Sequence, residues 1–317
     1  MAQGLSVLFV VDPLDGLKAY KDSSVAMMRE LVARGHDVWA TTLPYLFWTE
    51  AEVRAAAQLL RVHADHKHWF DVIEEAVQPL ASFDAVLMRK DPPFDNEYLY
   101  ATYLLEAAQR QGARVFNDPR ALRDHNEKFA ITEFAQFAAP TLITRSADAI
   151  RRFHAEQRDI VVKPLDGMGG ASVFRLKADD LNLNVILETI TQFGSRTVMA
   201  QRYLPAIKDG DKRVLLIGGR AVPHVLARIP KPGESRGNLA AGGTGRAQPL
   251  SEADRRIAEA LGPTLAERGL LLVGLDVIGE NLTEINVTSP TCFVEITEQT
   301  GFNVAGMFVD ALENALK

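Results

Sequence analysis

The chain has 317 residues, of which 47% are hydrophobic and 24% charged, an ordinary globular composition at a length for about two domains. Lys+Arg 35 against Asp+Glu 41 leaves a net charge of −6, so no strongly basic field invites nucleic acid. No apolar run approaches the roughly 20 residues that span a bilayer, no signal peptide precedes the first strand, and the one cysteine, Cys292, excludes an intrachain disulfide and fits a reducing cytoplasm.

Residues 5–11 read as a strand, and Asp22, Ser23 and Ser24 offer a cap for a helix over 25–34 that Gly35 stops. Strands follow at 38–42, 83–88 and 114–116, with a helix over 96–111 ended by Gly112. Strands separated by helices predict a parallel α/β sheet. His63, His66 and His68 fall in a helix-like segment and are expected as a solvated face. A helix over 126–138 leads to Ala139 and Pro140, which mark a boundary.

From Thr141 the pattern changes to hairpins: 160–163 with 172–176, then 213–217 with 221–227 across Gly218 and Gly219. One helix, near 182–193, lies between these pairs, so the second half reads as α+β. Residues 229–246 are rich in Gly and Pro. An ordered domain rarely keeps so long a loop without using it as a lid or binding loop.

Two stretches carry chemistry. The first is Lys163-Pro164-Leu165-Asp166-Gly167-Met168-Gly169-Gly170-Ala171, in which glycines let backbone N–H groups approach an anion and Lys163 adds a point charge. A strand-like alternation follows it, which rules out a P-loop or a dinucleotide fingerprint, since both open a helix. An oversized hairpin turn is the alternative. The second is the hairpin of 271–278 and 282–287. Glu284 and Asn286 are two apart and share a strand face, and Asp276 on the neighbouring strand joins them. Two carboxylates and an amide oxygen make a hard-oxygen site suited to Mg²⁺ bridging phosphates; acidic residues turned outward on a half-exposed hairpin would give the same pattern.

Other residues inform only in company. Lys128 starts a helix, where a lone lysine is usually solvated. The run 201–205 after a strand at 197–200 resembles a hinge that reads an adenine edge, or an ordinary strand exit. Arg89, Arg213, Arg228 and Arg236 sit at strand ends or on the glycine-rich loop, and arginine forks carboxylates and phosphates bidentately. Cys292 has no His-containing partner motif, and lone cysteines are usually inert.

Together these pieces resemble the bacterial glutathione synthetases of the ATP-grasp ligase superfamily, along essentially the whole chain. The carriers are Met88-Arg89-Lys90-Asp91-Pro92-Pro93-Phe94-Asp95, the stretch 163–171, Ile207-Lys208-Asp209-Gly210-Asp211-Lys212-Arg213, Arg236-Gly237-Asn238-Leu239-Ala240-Ala241-Gly242-Gly243, and 283–292. The resemblance implies an N-terminal parallel α/β domain over 1–122 and an ATP-grasp fold over 123–317, with antiparallel sheets and a mobile glycine-rich lid. Within that fold 123–200 would clamp ATP, and 201–317 would carry catalysis and Mg²⁺. The implied reaction is ATP-dependent joining of γ-glutamylcysteine to glycine through an acyl phosphate, releasing glutathione, ADP and phosphate.

By position in matching motifs, the resemblance assigns ATP binding to Lys128, Lys163, Gly167, Met168, Gly169, Gly170, Gln201, Tyr203, Leu204 and Asp211. It assigns Asp276, Glu284 and Asn286 to Mg²⁺, with Mn²⁺ as an alternative. Arg213 is expected to stabilise the acyl phosphate and the tetrahedral species. Arg89, Arg228, Arg236, Asn238, Ser289 and Thr291 are expected to contact the peptide and glycine. A cytoplasmic homotetramer is implied, with no nucleic acid or membrane partner. The chain departs from its relatives after Cys292 (Phe293-Val294-Glu295-Ile296) and in the lid (Lys231-Pro232-Gly233-Glu234). The competing readings are another ATP-grasp ligase with a different acid and amine, and a non-catalytic ATP-binding regulatory module.

Overall fold

Three sheets and the helices laid on them make up the computed structural model, which describes residues 4–317 apart from Met168, Ser235, Asn238, Ala240 and Ala241. The first sheet begins with β1 (Ser6–Val10), which leads to α1 (Ser23–Ala33) and β2 (Asp37–Thr41). Next come β3 (Leu46–Thr49), β4 (Glu52–Val62), β5 (Phe70–Pro79) and β6 (Ala85–Met88). Helix α2 (Asn96–Arg110), β7 (Val115–Phe116) and α3 (Pro119–Asp124) complete this part. Helix α1 starts where expected because the Asp22 carboxylate accepts from the amides of Ser24 and Val25 at 2.7 and 3.0 Å. Strand β1 runs parallel to β2 and β6, and β6 parallel to β7, as the strand–helix alternation predicts.

The sheet also has an antiparallel half that the sequence reading leaves blank: β4 pairs with β2, β3 and β5. Its inward positions include Val53, Ala55 and Ala57, all buried, and alanine is a poor strand signal. His63, His66 and His68 therefore lie in the turn between two long strands and not in a helix. A second correction concerns 126–138. Residues Phe129–Phe137 form a 3₁₀ segment broken at Phe134, where φ is −121° and ψ 40°. The chain before it is drawn away to the third sheet, where the Ile285 amide donates to the Glu127 carbonyl at 2.8 Å.

The second sheet comprises β8 (Thr141–Thr144), β9 (Ile160–Pro164), β10 (Phe174–Leu176) and β11 (Val198–Arg202), all antiparallel in the order β10-β9-β11-β8. Helices α4 (Ala147–Gln157) and α5 (Leu183–Ile190) cover it. Its small core (Ile150, Ile160, Val162, Leu187, Val198) is separate from the two larger ones.

The third sheet holds β12 (Asp211–Ile217), β13 (Arg220–Ala221), β14 (His224–Ile229), β15 (Thr244–Pro249), then α6 (Glu252–Glu267), β16 (Leu272–Ile278) and β17 (Asn281–Asn286). Helices α7 (Phe293–Thr300) and α8 (Val304–Ala315) end the chain. The hairpin expected of 213–217 with 221–227 forms across Gly218 and Gly219 and is broken only at Pro223, which has no amide to donate: β13 pairs with Leu216 and Ile217, and β14 resumes the ladder at Arg213 and runs on to Asp211. One large core joins Leu8 and Val10 to Val214 and Leu275, and the other joins Val7 and Phe9 to Leu215 and Phe293. The first and third sheets are thus packed into one body. Asn117 fastens them: its amide nitrogen donates to the carbonyls of Leu272 and Val287 at 2.8 and 2.7 Å, and its oxygen accepts from the Leu272 amide at 3.0 Å.

Candidate active site

All three sheets face one cavity of about 670 Å³. Its centre is set by strand register. Asp276 on β16 lies directly opposite Glu284 on β17, and Asn286 opposite Gly274. Directly opposed residues share a face, so the three predicted hard-oxygen donors do converge, and all three line the cavity. On the other side of β16, Arg213 stands opposite Asp276, and Arg228 of β14 stands opposite Asp211 of β12.

This register builds a buried charge cluster. Arg213 Nε donates to Asp276 Oδ1 at 2.7 Å, and Arg228 Nη2 reaches Asp276 Oδ2 at 2.9 Å and Asp211 Oδ2 at 2.6 Å. Burial works against ionisation of Asp276, but the two guanidiniums overcome it and hold the carboxyl well below the usual range. Burial raises Asp211 to about 6 despite Arg228, with the Asp276 charge adding to the rise. Its Oδ1 is buried without a partner, an acceptor suited to a hydroxyl donor. Burial also pushes the Cys292 thiol up, which agrees with an inert cysteine.

The glycine-rich stretch roofs the cavity. Gly169 and Gly170 have φ of 63° and 80°, a left-handed backbone that favours glycine. Below them Lys128 Nζ donates to the Gly167 carbonyl at 2.6 Å and to Glu284 Oε1 at 3.0 Å. Burial disfavours the Lys128 charge, and Glu284 more than restores it. Lys163 Nζ points the same way, 3.4 Å from the Thr283 carbonyl, and burial lowers its pKa. Two lysines and two buried arginines thus gather with Asp276 and Glu284 on the wall of a cavity that can admit an anionic ligand.

At the far end Val161, Val173, Leu204, Ile207 and Ile278 form an apolar slot beside Gln201 and Tyr203. Gln201 is fixed by its bond to Thr141 Oγ1 at 2.9 Å, and Tyr203 lies under the Arg175 guanidinium, 3.5 Å from the ring centroid. Such an apolar slot beside polar side chains suits a flat heteroaromatic ring.

The expected substrate residues divide. Arg236, Ser289 and Thr291 line the cavity with Arg213 and Arg228. Arg236 Nη1 reaches toward the Gly170 carbonyl at 3.4 Å, which links the 229–246 loop to the glycine roof. Arg89 does not line it. Its guanidinium is committed to Ser24 Oγ at 3.1 Å and the Pro290 carbonyl at 2.9 Å, so it braces the turn that carries Ser289 and Thr291. Met168 and Asn238 lie outside the described residues.

Glu127 escaped the sequence reading although its neighbour Lys128 did not. One carboxylate oxygen accepts from the amides of Val287 and Thr288 at 2.9 and 3.1 Å and from the Thr288 hydroxyl at 2.9 Å. It pins the end of β17 to the turn carrying Lys128, which is how Lys128 meets Glu284. Burial, then the Glu284 charge, raises its pKa. Only its place beside Lys128 hinted at this.

Residues 127–301 match the model of the prokaryotic glutathione synthetase ATP-grasp domain, and residues 5–123 that of the prokaryotic glutathione synthetase N-terminal domain. The chain belongs to the prokaryotic glutathione synthetase family. The glutathione synthetase of Ralstonia nicotianae is 61% identical over 311 residues, covering 98% of this chain and 96% of the relative. That of Neisseria meningitidis is 56% identical over 313 residues, covering 97% and 98%. Among solved structures the fold is shared with the D-cycloserine synthetase DcsG at a TM-score of 0.69, 16% identity and coverage of 98% and 100%. It is shared too with the ATP-grasp ligase PsnB complexed with a precursor variant, Mg and ADP, at 0.62, 20% identity and 99% of both chains. The fold is therefore the ATP-grasp fold that the glycine stretch and acidic hairpin imply.

Proposed function

We propose that this glutathione synthetase family member joins γ-glutamylcysteine to glycine with ATP, giving glutathione, ADP and phosphate. The observation that carries the proposal is the convergence of Lys128, Lys163, Arg213, Arg228, Asp276 and Glu284 in one cavity with an apolar slot at its far end. A carboxylate is a poor electrophile because its charge repels an amine. Transfer of a phosphoryl group from ATP to it gives an acyl phosphate with a good leaving group, which the glycine amine then attacks. The work of the chain is positioning and charge neutralisation.

Lys128 and Lys163, under the Gly167, Gly169 and Gly170 roof, hold the ATP phosphates. The slot beside Gln201, Tyr203 and Leu204 takes the adenine, and Asp211 offers its unpartnered oxygen to the ribose. Asp276, Glu284 and Asn286 fit Mg²⁺: two are carboxylates on opposed positions, and Asn286 is anchored through its amide nitrogen to the Gly274 carbonyl at 3.1 Å, which presents its oxygen. Bound there, Mg²⁺ supplies charge neutralisation of the transferring phosphoryl group. Mn²⁺ has the same ligand preference.

Arg213 faces the charge that develops on the acyl phosphate and the tetrahedral species. Arg228, Arg236, Asn238, Ser289 and Thr291 receive the peptide and glycine, with Arg89 holding the Ser289–Thr291 turn in place. The 229–246 loop closes over the intermediate and excludes water, since a hydrolysed acyl phosphate wastes ATP. Residues 1–122 form the substrate-side domain, 123–200 the ATP clamp, and 201–317 the catalytic and metal-binding part. The enzyme works in the cytoplasm, in line with its single cysteine, as a homotetramer. The exposed Val72, Ile73 and Val77 of β5 favour such self-association.

ADP release measured with ATP, Mg²⁺, γ-glutamylcysteine and glycine, each omitted in turn, tests the proposal. It predicts release only when all four are present. Release with another acid and amine but not with this pair would move the chain to a different ATP-grasp ligase activity.

A further inference from the structure

Two imidazoles and a carboxylate meet where β4 turns into β5, in the first sheet. His63 Nε2 is 2.8 Å from Asp71 Oδ2, and His68 Nε2 is 2.9 Å from Asp71 Oδ1. The two rings stack with centroids 5.4 Å apart and planes 20° from parallel. One ligand atom from each residue lies within 4.8 Å of the others, the only such cluster of His, Cys, Asp and Glu among the described residues.

The turn that presents these groups is tied down from several sides. The His63 amide donates to the Trp69 carbonyl at 2.7 Å, closing the turn at its base. Asp65 Oδ1 accepts from the amides of Lys67 and His68 at 2.7 and 2.6 Å, which fixes the approach of His68. Arg29 of α1 donates to the carbonyls of His63 and Asp65, both at 3.0 Å. Trp69 is buried and packs on Phe70 with ring centroids 4.6 Å apart. His63, His68 and Asp71 are thus held on a braced turn, with one ligand atom of each within 4.8 Å of the others.

We propose that His63, His68 and Asp71 form a binding site for one divalent ion of the zinc class, distinct from the Mg²⁺ site of the cavity. Imidazole nitrogen with carboxylate oxygen is the donor set of borderline ions such as Zn²⁺, Co²⁺ and Ni²⁺, with bonds of about 2.0–2.2 Å for Zn²⁺. Mg²⁺ prefers oxygen alone and does not compete here. A tetrahedral ion sets its ligand atoms about 3.3 Å apart, between the 2.8 Å of the His63–Asp71 contact and the 4.8 Å within which the cluster lies. Three protein ligands leave an open position, and it faces solvent, since the His68 side chain is 72% exposed. The ion replaces the hydrogen bonds that Asp71 now receives and pins the end of a hairpin that Arg29 connects to α1.

The test uses the full-length protein in excess Mg²⁺, which occupies the cavity carboxylates. Zn²⁺ affinity and stoichiometry are read by competition with a chromophoric chelator, and site geometry by the visible absorption of bound Co²⁺. The expected result is one tight Zn²⁺ per chain and an intense Co²⁺ band. His68→Ala and Asp71→Asn each weaken binding by at least about 10–100-fold, the range that even outer-shell changes cause, and each abolishes the band. His66→Ala, in the same turn but outside the cluster, keeps both. Since His68 is exposed, its loss leaves the fold intact, and an unchanged melting temperature in Mg²⁺ alone verifies that. Zn²⁺ binding that persists unchanged in His68→Ala, or a wild-type protein that binds no Zn²⁺ at micromolar concentration, overturns the proposal.

Discussion

Replacing Arg213 with alanine separates its role in catalysis from its role in the fold. Arg213 makes two contacts with Asp276, at 2.7 and 3.4 Å, and both side chains are buried. Stranding a buried carboxylate costs about 3–5 kcal/mol. Here Arg228 remains 2.9 Å from Asp276, so the loss is nearer that of one charged hydrogen bond, about 1.5–3 kcal/mol. For a chain of this size that lowers the melting temperature by about 2–4 °C and leaves it folded. Removing one donor aimed at developing negative charge costs about 10²–10³ in kcat. Calorimetric titration with ATP is expected to give wild-type affinity, while ADP release in the complete reaction falls by that factor or more. Arg213→Lys keeps the charge without the fork and should recover only part of the rate. A kcat for Arg213→Ala within a few-fold of wild type, or a loss of ATP affinity that accounts for the whole defect, refutes the assignment.

Gly274→Ala tests the same group indirectly: an added Cβ would lie 2.9 Å from Arg213 Cδ and 3.1 Å from Pro290 Cβ, so kcat should drop with ATP affinity kept, and wild-type turnover would show that the placement of Arg213 is not critical. Asn117→Ala removes three buried hydrogen bonds between the first and third sheets and should cost about 3 kcal/mol in urea unfolding; a loss below about 1 kcal/mol would mean the packed cores alone hold the sheets together. Asp211 offers a pH test. Its pKa is raised from 3.8 to about 6 on folding, so the folded state holds the proton more tightly and loses stability as pH rises through that window. Asp211→Asn should therefore gain stability relative to wild type between about pH 4 and pH 7, and a difference that stays flat or runs the other way contradicts the raised value.

How much was legible in the chain depended on whether the signal was local. Glu284 and Asn286 declare a shared face by being two apart, but Asp276 joins them only through a bulge: the turn pairs Ile278 with Asn281 and Val277 with Leu282, and a register shift between Val277 and Asp276 then brings Glu284 opposite Asp276. Lys163 and its glycines are contiguous. Arg213, Arg228 and Asp211 were singled out one by one, but their union around Asp276 depends on strand pairings across the third sheet that no spacing reveals. Arg89 shows the converse: a strand-end arginine aimed, by sequence, at a ligand is committed to Ser24 and Pro290. The antiparallel half of the first sheet went unread because alanines occupy buried strand positions where Val or Ile would have signalled them. With that hairpin missing, His63 and His68 had no reason to be neighbours of Asp71.

The most direct test of the ligase reading follows oxygen. The protein is given ATP, Mg²⁺, glycine and γ-glutamylcysteine labelled with oxygen-18 in its cysteinyl carboxylate, and the products are weighed by mass spectrometry. The account predicts glutathione in step with ADP, with one label carried into the released phosphate, since the acyl phosphate breaks to leave that oxygen on phosphorus. Glutathione formed with unlabelled phosphate would contradict the acyl-phosphate route, and ADP released with no tripeptide would contradict the function itself.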